Sequence, residues 1–203
     1  IRIVDEMFLL NPKYYIPLCE KLAERNKDDS LRIWSYSRID TIKRPEILKL
    51  VRKAGIKWLA LGIESGDKSI RLEVAKGKFE DVDVKKVIER VHDADINVMA
   101  NYIYGLPGDT KETINKTFQL SLDLCTAGWN TYGAMALPGS QLYKEAIDKG
   151  ARGVILEYFP DVVHEHITYV KVKKTNSSLS IIALNYYKDL SKQIKIIGVT
   201  GTN

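Results

Sequence analysis

Residues 57–67, KWLALGIESGD, decide the fold. The stretch begins with the apolar run 58–61, in which polar and apolar residues do not alternate. Such a run is typical of a strand buried on both faces, as in a parallel sheet covered by helices. The strand ends at Glu64 and Ser65, a carboxylate and a hydroxyl between two glycines. Ligands of α/β folds bind where strands end at their carboxyl side, so Glu64 is either a site residue or a solvated residue of a turn at Gly66.

Strands and helices alternate through most of the chain. Further strands are predicted at residues 1–4, 31–36, 96–104 and 129–137, and amphipathic helices separate them. Pro17 is expected to kink the first helix or to delay its start. Repeated βα units predict a parallel sheet with helices outside, and right-handed crossovers bring the strand-end loops to one edge. We therefore expect four side chains to lie along one edge of the sheet, namely Glu6, Arg38, Glu64 and Tyr104.

The alternation stops after Gly150. Residues 158–172 are rich in aromatic and β-branched side chains, and a helix is predicted after Ser177. The segment 194–199 has a strand-like pattern. We therefore predict one domain over residues 1–150 and a small C-terminal extension with one helix over residues 151–203.

The amino-acid composition is that of a globular protein and excludes several classes of partner. The 203 residues are 45% hydrophobic and 28% charged, which is ordinary for a soluble globular protein. The net charge of +5 is dispersed rather than clustered with aromatic residues, so no nucleic-acid partner is expected. The sequence has no run of about 18 apolar residues, so no membrane-spanning helix is expected. Cys19 and Cys125 are far apart and predict buried thiols in a reducing compartment, the cytoplasm, whereas the start on Ile1 within a strand pattern predicts a fragment.

Three further features have both a functional and a structural interpretation. Asp5 and Glu6 directly follow a strand and can bind a cationic amine or a metal, or they form a solvated acidic turn. His164 and His166 would share one face of a strand, but no third metal ligand is predicted, so a structural or surface role is favoured. The loop 105–110, GLPGDT, can present backbone N–H groups to an anion, although it lacks the Gly-Lys-Ser/Thr ending of a phosphate loop.

Five motifs, taken in order, resemble the radical S-adenosylmethionine (SAM) superfamily, and most of all the subgroup that often carries an N-terminal cobalamin-binding domain. They are DEMF (5–8), WSYSRID (34–40), AGIKWLALGIESGD (54–67), NVMANYIYGLPGDTKET (97–113) and ALPGSQLY (136–143). The resemblance implies an α/β fold, a partial open (β/α) barrel of the TIM-barrel-like type with parallel strands inside and helices outside. It also implies that SAM and a [4Fe-4S] cluster lie at the carboxyl ends of the strands.

The same resemblance assigns site residues by position. Glu6 corresponds to the residue that meets the SAM amino group, and Arg38 is a candidate for the SAM carboxylate. Glu64, with Ser65 beside it, corresponds to the residue that hydrogen-bonds the ribose. The adenine would be contacted by residues of the segments 101–105 and 134–137, namely Tyr102, Tyr104, Gly105 and Met135.

Members of that superfamily ligate the cluster with a CxxxCxxC loop after the first strand. Neither Cys19 nor Cys125 can supply this motif, and the strand pattern begins at the superfamily's second strand. We therefore expect the cluster ligands to lie outside this chain, and we assign no catalytic or metal-binding residue within it. Cobalamin in a domain preceding Ile1 is compatible with the subgroup.

The implied function is that of part of a radical SAM enzyme, an oxidoreductase or a methyltransferase. Reductive cleavage of SAM would give a 5′-deoxyadenosyl radical for hydrogen abstraction, methylation or related chemistry on a small-molecule substrate. One alternative is a non-catalytic scaffold or binding module with the same partial barrel. Another is a different barrel enzyme in which Asp5, Glu6 and Glu64 act as acid, base or metal ligands.

The last eight residues carry a second resemblance. The stretch 196–203, IIGVTGTN, is similar to the opening of the phosphate loop of Mur-type ATP-dependent ligases. It lacks the Gly-Lys-Thr that would bind the nucleotide, so we interpret it as a strand with a glycine-rich end.

Overall fold

The computed structural model describes residues 1–42, 44–74, 81–137 and 139–186. Its contacts divide the chain into two compact units, unit 1 (Ile1–Ala134) and unit 2 (Met135–Asn203). Within the described ranges, no helix is long and apolar enough to cross a membrane.

Unit 1 is built on a four-stranded parallel sheet whose spatial order is the order of the chain. The strands are β1 (Ile33–Arg38), β2 (Ile56–Glu64), β3 (Asn97–Tyr104) and β4 (Gly128–Gly133). Arg2 adds a parallel bridge to Trp34 beyond the free edge of β1. Strands that follow one another in space as in sequence are typical of a (β/α) barrel, in which every crossover moves in the same direction.

Five helices of unit 1 alternate with the strands in the described chain, and side chains cap three of them. They are α1 (Pro12–Arg25), α2 (Pro45–Lys53), α3 (Lys68–Val74), α4 (Val84–Asp93) and α5 (Lys111–Asp123), and a 3-10 turn (Ile39–Thr41) follows β1. The Asn11 side chain accepts the Lys13 N–H, and Pro12 occupies the first helical position of α1. This cap fixes the start of α1 at Pro12, so Pro17 lies inside the helix and does not delay it.

The two faces of the sheet have different environments. On one face, Leu59, Leu61 and Ile63 of β2 are completely buried and belong to the core that the helices cover. Gly62 and Glu64 are only partly buried and point to the opposite face, whereas Ala60 on that face is 1% exposed. Strand β2 is therefore buried on both faces in the middle of its apolar run but not at its carboxyl end. At the N-terminal end of that opposite face, the rings of Trp34 and Trp58 stack with centroids 5.4 Å apart and planes 13° apart.

Unit 2 contains α6 (Gln141–Asp148), β5 (Gly153–Leu156), β6 (Thr168–Lys171) and α7 (Thr175–Tyr186), and β5 and β6 form a parallel pair. Helix α6 belongs to this unit because the Tyr143 hydroxyl is 3.1 Å from the Tyr169 hydroxyl of β6. The contacts divide the chain after Ala134, and the domain boundary expected at residue 150 stays a prediction. The segments 194–199 and 196–203 lie outside the described residues.

Candidate functional site

The partly buried face of the sheet in unit 1 forms one wall of a cavity of about 630 Å³. Strands β1, β2, β3 and β4 all contribute to it near their carboxyl ends, and the segment after Val4 closes one side. Its lining consists of Arg2, Val4, Asp5, Glu6, Met7, Tyr36, Ser37, Arg38, Ala60, Gly62, Glu64, Asn101, Ile103 and Tyr132. The volume lies within the range of about 300–1,000 Å³ that is usual for small-molecule sites.

Glu64 enters this cavity because the end of β2 is irregular. The pairing of β2 with β3 shifts register between Gly62 and Glu64, which is a bulge. Glu64 has a φ of +68°, and the Ser65 N–H donates to the Ile63 carbonyl at 2.9 Å across it. A positive φ under a bond between residues i and i+2 is the rare, strained form of the γ-turn. The bulge and the turn together direct the carboxylate of the last strand residue into the cavity.

The Glu64 carboxylate lacks a hydrogen-bond donor within the described ranges of the chain. Burial raises the pKa of Glu64 above its ordinary value, and the nearby Arg38 guanidinium offsets part of that increase. Gly62 leaves room for the carboxylate, because a Cβ at that position would collide with Glu64 Oε1. A partly buried acceptor with no donor is suited to bind hydroxyl or N–H groups of a ligand.

Arg38 is held beside the cavity by Asp40. Its Nε and Nη2 donate to the two Asp40 carboxylate oxygens at 2.6 and 2.7 Å. The Asp40 side chain is only 4% exposed, and the two bonds orient the Arg38 guanidinium beside the cavity.

Residues 1–4, predicted as a strand, form only the bridge at Arg2, and the two carboxylates that follow have different environments. Asp5 Oδ1 accepts the Met7 N–H at 2.8 Å and so stabilises the turn. Glu6 is exposed, lines the cavity, and has no hydrogen bond or ion pair to the described residues. Glu6 is thus the member of the pair that is available to a cationic group.

The structure brings Glu6, Arg38 and Glu64 together in one cavity, but it does not bring all predicted site residues there. Ser65 is 1% exposed, and its hydroxyl lies 3.2 Å from Thr117 Oγ1 of α5 and accepts the Asp67 N–H. Its hydroxyl is therefore engaged beneath the loop, on the helix side.

The tyrosines of β3 also lie away from the cavity wall. Tyr102 is completely buried in the core, where burial strongly raises the pKa of its hydroxyl, and that hydroxyl has no partner within the described chain. Tyr104 lies two residues on, at the strand's end, packed against the same core. Alternation along β3 instead directs Asn101 and Ile103 to the cavity. Gly105 follows with a φ of +80°, and Met135 belongs to unit 2.

The loop 105–110 does not offer its N–H groups to an anion. Asp109 Oδ2 accepts the Gly105 and Leu106 N–H groups at 2.9 and 3.0 Å, and its Oδ1 accepts from Thr113 Oγ1 at 2.8 Å. The nearby carboxylate also contributes, after burial, to raising the pKa of Tyr104. The loop is a self-contained cap of α5, whose Thr110 forms a capping box with Thr113.

The metal interpretation of the histidines finds no support in the described residues. No group of three or more His, Cys, Asp or Glu side chains could hold an ion within the described ranges. His164 and His166 are exposed in a turn rather than in a strand, so the shared face on which the metal interpretation depended does not exist. Cys19 is buried in the core of unit 1, and Cys125 is exposed, contrary to the expectation of a second buried thiol.

Sequence reasoning missed several cavity residues. Asn101 accepts from Asn130 Nδ2 at 3.0 Å, and Tyr36 accepts from Arg2 Nη2 at 2.7 Å, so β4 orients Asn101 and the N-terminal segment orients Tyr36. The available signal was a polar residue within an otherwise apolar strand: Asn101 interrupts β3 in this way. Together with Glu6, Arg38 and Glu64, these groups can bind a ligand with cationic, anionic and hydroxyl groups.

Comparison with known families agrees with this architecture. The family model of the radical SAM superfamily matches residues 6–121, which is more than half of the chain. An anaerobic magnesium-protoporphyrin IX monomethyl ester cyclase from Cereibacter sphaeroides is 31% identical over 150 residues, covering 72% of this chain and 24% of the cyclase. The chain thus spans about a quarter of that relative.

A solved structure has a similar fold. A radical SAM methyltransferase, TsrM, from Kitasatospora setae, with cobalamin and a [4Fe-4S] cluster bound, superimposes with a TM-score of 0.64 at 19% identity. The match covers 73% of this chain and 28% of TsrM. The predicted partial (β/α) barrel is confirmed at the level of fold.

Ligases of a different family resemble a smaller part of this chain. The UDP-N-acetylmuramoyl-L-alanyl-D-glutamate–2,6-diaminopimelate ligase of Phocaeicola vulgatus is 38% identical over 65 residues, which are 32% of this chain and 13% of the ligase. The similarity to such ligases is therefore much longer than the eight residues on which the sequence pattern rested.

Proposed function

The chain belongs to the radical SAM superfamily, and from this premise we propose that the cavity of unit 1 binds SAM. The observation that carries the proposal is the convergence of Glu6, Arg38 and Glu64 on one cavity at the carboxyl ends of parallel strands. SAM has an ammonium, a carboxylate and a ribose diol, so its site needs a carboxylate, a cation and a hydrogen-bond acceptor, respectively. The three side chains supply these groups from three different segments.

The chain's own residues would bind and orient the cofactor. The exposed Glu6 carboxylate attracts the ammonium group, and the Arg38 guanidinium, fixed by Asp40, attracts the carboxylate. Glu64 accepts hydrogen bonds from the ribose hydroxyls, which would satisfy a carboxylate that lacks a donor in the described chain. Ile103 and Tyr132 form the apolar part of the wall against which the adenine can pack.

The cluster does not fit this chain's residues. Cys19 is in the core, where burial raises the pKa of its thiol to about 11, and Cys125 is exposed in a loop. Two separated thiols cannot replace the three cysteines of the superfamily, so the cluster ligands would come from outside this chain. When SAM is bound beside such a cluster, it supplies the radical chemistry of the superfamily, here on a small-molecule substrate in the cytoplasm.

The test is binding of SAM to the chain, measured by isothermal titration calorimetry. We expect the wild-type chain to bind SAM, and Glu64→Gln and Glu6→Gln to weaken binding, since each removes a charge-assisted hydrogen bond. Replacement of exposed Lys111 by Gln is the matched control, because this residue begins α5 and does not line the cavity. A wild-type chain that does not bind SAM, or that binds unchanged in both variants, refutes the assignment and favours a scaffold. Anaerobic reconstitution of the full-length protein should yield iron uptake and 5′-deoxyadenosine.

A further inference from the structure

The strained turn at Glu64 requires stabilising contacts from the surrounding structure. A residue with a side chain at a φ of +68° is unfavourable, and it persists only where its surroundings impose it. The turn bond from Ser65 N–H to the Ile63 carbonyl is local and too weak to do so alone. The contacts that follow the turn therefore decide where the Glu64 carboxylate lies.

One contact comes from α3. Arg71 donates from Nη1 to the Ser65 carbonyl at 2.8 Å. Its side chain is buried, the residue being only 5% exposed, and its Nε has no partner within the described residues. Burial lowers the pKa of this guanidinium, and Asp81 and Asp67 partly offset that effect.

A buried arginine of this kind is unfavourable for stability, since an apolar side chain of similar size would avoid the desolvation. Structural arginines of this chain have a different environment. Arg52, for example, donates to both Asp29 and Asp95 near the surface. The burial of Arg71 against a single carbonyl group points to a requirement other than stability.

A second contact comes from α5. Thr117 Oγ1 accepts the Gly66 N–H at 2.9 Å and lies 3.2 Å from Ser65 Oγ. Gly66 permits this approach, because a Cβ there would lie 2.6 Å from the Lys116 carbonyl oxygen. The two residues after the turn are thus fixed from α3 on one side and from α5 on the other.

We propose that Arg71 is a positioning residue, which holds the Ser65 carbonyl and thereby fixes the left-handed turn that presents Glu64 to the ligand cavity. Arg71 does not line that cavity, so it acts only through the backbone of the loop. The inference deepens the proposed function and rests on it for the identity of the ligand. The placement of Glu64 itself can be tested without any ligand.

The experiment uses the whole 203-residue chain and the variants Arg71→Met, Arg71→Gln and Arg71→Lys. The pKa of Glu64 is measured by a ¹³C carboxyl NMR titration, with Glu64→Gln to assign the resonance. Arg71→Met is expected to lower that pKa toward the ordinary glutamate value, because the released carboxylate moves into water. It is also expected to weaken SAM binding by about tenfold, as for the loss of one well-placed hydrogen bond. Arg71→Lys keeps one donor and should restore much of both properties.

The control is Arg52→Met, which removes ion pairs to Asp29 and Asp95, residues that precede the N-terminal ends of β1 and β3, whereas Glu64 lies at the carboxyl end of β2. It should lower thermal stability while leaving the Glu64 pKa and SAM affinity unchanged. If Arg71→Met fails to fold, Arg71→Gln carries the same comparison. A folded Arg71→Met or Arg71→Gln chain with the wild-type Glu64 pKa overturns the proposal.

The two proposals fail differently. If the wild-type chain binds no SAM, the proposed function is lost, and the NMR titration still decides whether Arg71 positions Glu64. If the wild-type chain binds SAM and the Arg71 variants bind it equally with an unchanged Glu64 pKa, only the positioning role is lost.

Discussion

Gly62→Ala should separate folding from ligand binding in this chain. An added Cβ would collide with Glu64 Oε1, and it would lie 3.6 Å from Glu64 Cδ and 3.9 Å from Arg38 Cγ. The colliding atom is the far end of a flexible side chain, so Glu64 can rotate away while the backbone remains in place. Gly62 has no positive φ, and alanine therefore fits its backbone conformation.

For Gly62→Ala, we expect a small change in the free energy of unfolding and a large loss of affinity for SAM. An off-rotamer glutamate costs about 0.5–1.5 kcal/mol, whereas replacing a strand glycine by alanine gains about 0.5–1 kcal/mol. These terms nearly cancel in the free energy of unfolding. A lost hydrogen bond to the ionised Glu64 removes about 1.5–3 kcal/mol of binding free energy, which is roughly a 10- to 150-fold weaker affinity for SAM.

The assay pairs urea unfolding with calorimetric titration of SAM. Gly133→Ala is the matched control, because Gly133 ends β4 in the same sheet and a Cβ there would meet nothing within 4 Å. This control should raise the unfolding midpoint slightly, by the same gain of about 0.5–1 kcal/mol, and should leave SAM affinity unchanged. A Gly62→Ala chain that binds SAM as tightly as the wild type would show that the orientation of Glu64 does not matter for binding.

Three further predictions follow from the same contacts. Burial raises the folded-state pKa of Glu64 above its ordinary value of 4.5. The stability contributed by protonated Glu64 is therefore complete below pH 4.5 and is lost as the pH rises through the raised pKa. Glu64→Gln should abolish this part of the pH dependence of unfolding, and a variant whose stability–pH curve equals that of wild type would contradict the prediction. Gly66→Ala should lower the free energy of unfolding by about 1–3 kcal/mol, because its Cβ meets immovable backbone at 2.6–2.8 Å, and a denaturant midpoint equal to that of wild type would be incompatible with this packing. Iodoacetamide at pH 8 should label exposed Cys125 in the native chain and Cys19 only after unfolding, since burial raises the pKa of Cys19 to about 11; mass spectrometry that finds Cys19 labelled first would overturn this.

The sequence predicted the elements that local patterns determine. The carboxyl end of β2 at Glu64 and the alternation of strands with amphipathic helices follow from residues close together in the chain. The partial (β/α) barrel followed from the order of its units and from the motifs that resemble a family. For Glu6, Arg38 and Glu64, the same reasoning named side chains that line one cavity.

Other features depend on contacts that the sequence does not contain. Whether Tyr102 or Asn101 faces the cavity depends on which face of β3 the helices cover, and an apolar strand gives little indication of that choice. The Ser65 hydroxyl bonds to Thr117, which is 52 residues away. The division at Ala134 depends on the contact between Tyr143 and Tyr169, since helix α6 has the same local pattern in either unit.

The stacked Trp34–Trp58 pair has an optical consequence. Parallel indole rings 5.4 Å apart should couple excitonically and give a paired positive and negative band in circular dichroism. The chain has three tryptophans, and all of them, including Trp129, belong to unit 1. Tryptophan emission and this couplet would therefore report the melting of unit 1 alone, and a comparison with far-UV circular dichroism, to which the helices of unit 2 also contribute, would separate the two transitions.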